Sequence, residues 1–158
     1  MMGGVFGTAD RLGSMRRMGP RSAIELLLLP VRLQEIRLGR PVDVLLDAEE
    51  WRVLGFVVLC GDESRRFLPW ATADPREDEI ALSSALLLLD DVDFYRSRSR
   101  SLRALLGGTV ESVQHELGVL RDLLIERDGT VATLMVGQDG AMREVEPAGL
   151  RIDYVSTA

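Results

Sequence analysis

The segment RSRSRSLR at 96–103 carries the groups in this sequence that are best suited to binding a partner. Its arginines are spaced two or three residues apart: Arg96, Arg98, Arg100 and Arg103. A guanidinium group binds phosphates and carboxylates through two N–H donors at once. Phe94 and Tyr95 come just before, and aromatic and arginine side chains often anchor interfaces. A solvated linker whose charge is balanced by DDVD at 90–93 is the favoured interpretation of this segment. Partner binding by these six residues is the functional hypothesis.

Three further features could carry chemistry, but each favours a structural interpretation. The acidic run DPREDE at 74–79 has oxygen ligands for a divalent cation but lacks the ordered spacing of a calcium loop. His115 stands beside Glu116 without a nucleophile motif. Cys60 follows the apolar run GFVVL, which favours a small core residue over a reactive thiolate. We therefore expect no catalytic residue, no metal, no cofactor and no enzymatic activity.

Aromatic side chains offer a second possible surface. Trp51, Phe67 and Trp70, together with Phe94 and Tyr95, could form an exposed recognition patch. Filling of the core is the favoured alternative.

Composition limits the class of protein. The chain of 158 residues suits one domain or two very small ones. A net charge of −6 argues against the broad basic face of a dedicated nucleic-acid binder. One cysteine excludes an internal disulfide. The LLLL run at 26–29 is too short to span a bilayer, so we expect a cytoplasmic protein without membrane insertion.

The stretch LGVLRDLLIERDGTVATLMVGQDG at 117–140 decides the fold class. Periodicity in its first ten residues slightly favours a helix. The Asp-Gly pairs at 128–129 and 139–140, however, are typical of hairpin turns. Strand, turn, strand, turn, strand is therefore the prediction, and the fold class is mostly β.

The rest of the chain fits the same class. Residues 1–22 are rich in glycine and predict a flexible tail. The runs PVDVLLD, WRVLGFVVLC, RRFLPW, TVATLMV and MREVEP predict strands, and short helical pieces are expected near 23–29 and 101–106. Leu-Gly pairs recur at 38–39, 54–55, 106–107 and 117–118, with LGRPVDV set parallel to LGGTVES. This echo predicts a first unit at 23–95, an Arg/Ser linker at 96–104 and a second unit at 105–158.

The second unit resembles the PRC-barrel family, which includes the photosynthetic reaction-centre H subunit and the ribosome-maturation protein RimM. Its entry LLGGTV, its centre LGVLRDLLIERDGTVATLMV and its exit REVEP with LRI carry the resemblance. The first unit is similar through LGRPVDVLLD, VLGFVV and FLPW. The resemblance implies two tandem small β-barrels and a role in partner binding or scaffolding, with no shared catalytic residues.

These expectations lead to two functional hypotheses. The first is a protein-docking adaptor or scaffold that acts through barrel surfaces. Incompletely closed barrels leave strand edges, through which such a protein can form a homodimer. The alternative is an RNA- or ribosome-associated assembly factor that uses the arginines of 96–103. Steep salt dependence would mark the second hypothesis.

Overall fold

The computed structural model describes residues 19–153, and this range is mostly β, as predicted. The strands are β1 (Arg21–Ser22), β2 (Val31–Leu33), β3 (Ile36–Asp47), β4 (Arg52–Cys60), β5 (Arg65–Pro69), β6 (Asp74–Pro75), β7 (Ile80–Leu82), β8 (Arg100–Ser101), β9 (Thr109–Glu111), β10 (Glu116–Ile125), β11 (Val131–Gln138), β12 (Ala141–Val145) and β13 (Arg151–Ile152). The helices are α1 (Ala23–Leu26), α2 (Val92–Arg96) and α3 (Leu102–Leu105), and 3-10 turns cover Trp70–Thr72 and Ala85–Leu87. No helix in the described range is long and apolar enough to cross a membrane.

The strands form two sheets. Sheet 1 has the order β5-β4-β3-β2-β7-β6, with β8 also paired to β3. Sheet 2 has the order β12-β11-β10-β9-β13, with β1 also paired to β10. Within residues 19–153 neither order closes on itself, so the described sheets do not establish two barrels.

The ambiguous stretch at 117–140 is two strands and two turns. β10 takes up the residues whose periodicity slightly favours a helix, because its flanks are hairpin loops. Asp139 and Gly140, the two residues between β11 and β12, have positive φ of 53° and 80°, and a two-residue turn of this kind matches the twist of paired strands. Gly129, with a φ of 94°, lies in the loop 126–130 between β10 and β11. The helical pieces predicted near 23–29 and 101–106 are α1 and α3.

The two halves of the chain repeat each other with a shift of 79 residues. Leu38–Gly39 in β3 corresponds to Leu117–Gly118 in β10, and the ladder of each strand shifts at the same place, between Pro41 and Asp43 or between Leu120 and Asp122. The true partner of LGRPVDV is thus LGVLRDL. LGGTVES, which the Leu-Gly pairs had suggested, lies one element earlier in the repeat.

Each half gives its first strand and helix to the sheet of the other half. β1 pairs with β10, whereas β8 pairs with β3. Ala23 and Leu26 of α1 are fully buried, as are Leu102 and Leu105 of α3. Burial of one leucine side chain contributes about 1.5–3 kcal/mol, so these short segments hold the halves together.

A carboxylate receives each exchanged segment. Asp122 accepts hydrogen bonds from the Ser22 hydroxyl and from the Ile24 N–H at 3.1 Å. Asp43 accepts the equivalent bonds from the Ser101 hydroxyl and from the N–H of Arg103 at 3.2 Å. The serines also cap α1 and α3. Equivalent hydrogen bonds therefore hold the exchanged segment of each half on the sheet of the other half.

The halves meet at a seam between the hairpin loops. Val53 N–H donates to the carbonyl of Gly129 and Val131 N–H donates to the carbonyl of Trp51, both at 2.8 Å. The hairpin loop of the second half is one residue shorter, since Leu46 pairs with Val53 whereas Ile125 pairs with Val131, so the shift is 78 residues from this point on. Trp51, with a φ of 55°, therefore corresponds to Gly129, with a φ of 94°. The largest hydrophobic core contains residues of both halves. The described range therefore shares one core across the two predicted units.

Two predicted boundaries contain regular structure. Arg21 and Ser22, assigned to the tail, form β1. The linker 96–104 holds the end of α2, all of β8 and most of α3. A two-residue strand is defined by its distant partner and has no periodicity of its own, so the local sequence does not reveal β1 or β8. Residues 1–18 lie outside the described range.

Candidate functional site

The four arginines of 96–103 do not form one surface. Arg100 donates from Nη2 to the carbonyl of Ile152 at 3.3 Å. Arg103 donates from Nε to the carbonyl of Val42. Arg21, the counterpart of Arg100 in the repeat, likewise donates to the carbonyl of another segment. Arg100 and Arg103 therefore each bond to a distant chain segment. Arg103 is nevertheless exposed, as are Arg96 and Arg98, and Arg100 is half-buried.

Helix α2 holds the predicted aromatic residues in fixed positions. Its N-cap, Asp91, accepts the N–H of Phe94 at 3.3 Å. On its inner side Val92 is buried, and the ring of Tyr95 stacks on Phe67 with centroids 4.0 Å apart and planes 12° from parallel. This second, smaller core covers the outer face of sheet 1. The helix is anchored by packing although it has only five residues.

The outer side of α2 presents Phe94 together with two arginines, and we call Phe94, Arg96 and Arg98 the α2 face. Phe94 is 44% exposed. The guanidinium carbon of Arg98 lies 3.8 Å from the centroid of its ring, and Arg98 Nη1 donates to the Phe94 carbonyl at 3.2 Å. An exposed cation–π contact contributes about 0.5–1 kcal/mol. The contact holds the guanidinium group over the ring and fixes the shape of the face.

Carboxylates surround this face. Asp90 forms an ion pair with Arg66 at 2.6 Å. A shallow cavity of about 490 Å³ beside α2 is lined by Arg65, residues 90–93 and Arg96. Alternating charges of this kind suit a protein surface better than a continuous row of phosphates.

The other predicted candidates have structural surroundings. Asp74 in the acidic run pairs with Arg76 at 2.9 Å. His115 is exposed in a turn, where its backbone N–H donates to Ser112 Oγ at 3.3 Å. Burial raises the pKa of the Cys60 thiol. Among residues 19–153 no group of three or more His, Cys, Asp or Glu side chains could hold a metal ion.

The aromatic residues divide between core and surface. Trp51, Phe67 and Trp70 are buried, which agrees with the favoured alternative of core filling. Phe94 is exposed and Tyr95 is half-buried. The hydrogen-bonding capacity of the Trp70 indole is satisfied, because its Nε1–H donates to the Arg127 carbonyl at 2.9 Å.

Two clefts at the seam were not predicted. The Trp51 cleft, of about 980 Å³, is lined by 46–49, Trp51, 97–100 and 149–153. The Trp70 cleft, of about 750 Å³, is lined by Arg21, 52–54, 69–75 and 125–128. They are counterparts in the repeat, since Leu46 and Arg100 correspond to Ile125 and Arg21. The signal that could have revealed them is the recurrence of Arg-Ser and Leu-Gly pairs at a common spacing of 79 residues.

Neither a protein-family model nor a curated protein matches this sequence significantly. The functional argument therefore rests on the geometry of the chain itself.

Proposed function

We propose that this protein is a non-enzymatic cytoplasmic adaptor that docks a protein partner through the α2 face. The observation that carries the proposal is the exposed Phe94 ring with Arg98 fixed above it. Aromatic and arginine side chains dominate the binding energy of many interfaces. A face that is ordered before binding loses less conformational entropy on association.

The packing beneath α2 supports this assignment. The Tyr95 ring lies between Phe67 and Phe94, and it contacts Phe94 edge-on with centroids 5.1 Å apart. Phe94 therefore packs on Tyr95, which in turn packs on Phe67 of sheet 1. A partner would meet a rigid anchor rather than a mobile side chain.

The duplicated architecture supports the scaffold part of the proposal. Two related β halves joined by exchanged segments agree with the resemblance to tandem PRC-barrel units, and barrel closure remains part of the proposal. The strand edges of the two sheets can also pair with a second copy of the chain, so a homodimer is part of the proposal.

RNA binding is the second candidate, and one observation favours it. An arginine held over an aromatic ring is a platform on which an unpaired base stacks. The net charge of −6 and the carboxylates at 90–93 oppose this reading, because RNA binding requires phosphate neutralisation. A protein partner is therefore the better assignment.

The test compares captured partners of three full-length proteins: wild type, Phe94→Ala and Leu86→Ala. Leu86 is an 87% exposed apolar residue that is not part of the α2 face, and it is the matched control. Proteins captured from lysate, with and without nuclease, are quantified by mass spectrometry. We expect a set of proteins that resists nuclease, persists with Leu86→Ala and is lost with Phe94→Ala.

Two results would overturn the proposal. Loss of the captured set on nuclease treatment, with steep weakening as salt rises, would assign the face to RNA. Equal capture by wild type and Phe94→Ala, with both proteins folded by circular dichroism, would show that the α2 face binds no partner.

A further inference from the structure

The Trp70 cleft has the dimensions of a small-molecule site and lies apart from the α2 face. Its volume of about 750 Å³ falls within the range of about 300–1,000 Å³ found for ligand pockets. Trp70, Pro69 and Pro75 are among its apolar lining residues, and Arg21, Arg52 and residues 126–128 supply polar lining. An indole and two proline rings suit contact with a flat apolar group.

Two arginines stand at this cleft with part of their hydrogen-bonding capacity in use. Arg21 donates from Nη2 to the Arg76 carbonyl at 2.9 Å, and Arg52 donates from Nη1 to the Asp128 carbonyl at 3.1 Å. Each bond fixes a guanidinium group without neutralising it, because a carbonyl carries no net charge. Since a guanidinium group has five N–H donors, both arginines retain donors for an anion.

Three carboxylates line the cleft: Asp74, Glu126 and Asp128. Asp74 accepts a bond from Arg76 Nε at 2.9 Å. Asp128 accepts the Thr130 N–H at 2.9 Å, and hydrogen bonds from Thr130 are the main cause of its lowered pKa, to which Arg52 adds a smaller effect. Glu126 is exposed to solvent, so Arg21 and Arg52 keep donors for an anionic group of a ligand.

We propose that the Trp70 cleft binds a small planar aromatic acid. Its ring lies against the part of Trp70 that lines the cleft and against the neighbouring prolines, and its acidic group accepts hydrogen bonds from Arg21 and Arg52. This activity is separate from docking at the α2 face, since no residue of that face lines the cleft.

The experiment uses 2-naphthoate as the probe and its uncharged analogue 2-naphthamide as the control ligand. The full-length protein contains two tryptophans, Trp51 and Trp70, and their indole N–H signals in a ¹H–¹⁵N spectrum report on the two clefts separately. A Trp51→Phe variant assigns the signals. We expect 2-naphthoate to shift the Trp70 signal saturably and to bind at least about tenfold more tightly than 2-naphthamide, a difference of about 1.4 kcal/mol.

Matched arginine variants test the anion contacts. Arg52→Gln should weaken 2-naphthoate binding about tenfold. Arg151→Gln, at an exposed arginine of the Trp51 cleft, should leave it unchanged. Equal affinity for the two ligands, or saturable shifts of the Trp51 signal alone, would overturn the proposal. The ligand comparison on wild type stays decisive if Arg52→Gln does not fold, and none of these readouts depends on a docking partner.

Discussion

The exchange between halves predicts which pairs of residues are energetically coupled. Asp43 is 5% exposed and accepts three hydrogen bonds, from the Ser101 hydroxyl and the N–H groups of Arg103 and Val44. A hydrogen bond to a charged group contributes about 1.5–3 kcal/mol. Asp43→Ala removes two such bonds between the halves, so the free energy of unfolding should fall by about 3 kcal/mol or more.

The counterpart Asp122 is the matched comparison. It accepts the same set of bonds but is half-buried, so water can replace part of what is lost. Asp122→Ala should therefore cost less, about 1–2 kcal/mol. Urea unfolding followed by circular dichroism measures both values on the full chain.

Double-mutant cycles then separate the exchanged pairing from a pairing within each half. The Asp43–Ser101 cycle and the Asp122–Ser22 cycle should each give a coupling energy of about 1 kcal/mol or more. The Asp43–Ser22 cycle, whose members share no hydrogen bond, should give less than about 0.5 kcal/mol. Coupling between Asp43 and Ser22, or an Asp122→Ala cost that matches that of Asp43→Ala, would refute the reasoning.

Two further predictions concern pH and backbone conformation. A hydrogen bond shared with Asp153, together with the Asp153 charge, raises the pKa of Glu111. The stabilisation that protonated Glu111 gives the folded state is therefore present at acid pH and lost as pH rises through that pKa. The unfolding free energy of Glu111→Gln minus that of wild type should thus increase with pH, and a flat difference across a pH series would contradict this. Gly129→Ala should cost more than Gly140→Ala in urea unfolding. At both positions the positive φ costs an alanine about 1–2 kcal/mol. Only at Gly129 would a Cβ also lie 3.0 Å from Trp70 Cδ1, and equal costs of the two substitutions would count against that contact.

Local signals predicted most of the strands. The Asp128-Gly129 pair decides β10 against its own periodicity, because a turn residue with positive φ constrains the chain on both sides. The apolar run of β4 likewise predicts a strand buried on both faces. In both cases the deciding information lies within a dozen residues.

The candidate site could be predicted only in part, because two of its arginines bond to residues 52 and 61 positions away. Phe94, Arg96 and Arg98 form an exposed face of the residue types that the segment suggests. Arg100 and Arg103 are of the same type but donate to the carbonyls of Ile152 and Val42. Nothing in the segment itself distinguishes an arginine without a distant partner from one that bonds to a distant segment.

The exchanged segments also determine when this protein can acquire its structure during synthesis. Ser22 can bond to Asp122 only after a further 100 residues have been synthesised, and Asp43 can bond to Ser101 only after a further 58. The first sheet therefore lacks β8 and α3 until the second half begins to emerge from the ribosome, and β1 has no partner until β10 follows. Closing such long loops costs entropy before any contact compensates for it. The halves are repeated in sequence, yet the chain must reach its native state as one late, cooperative event.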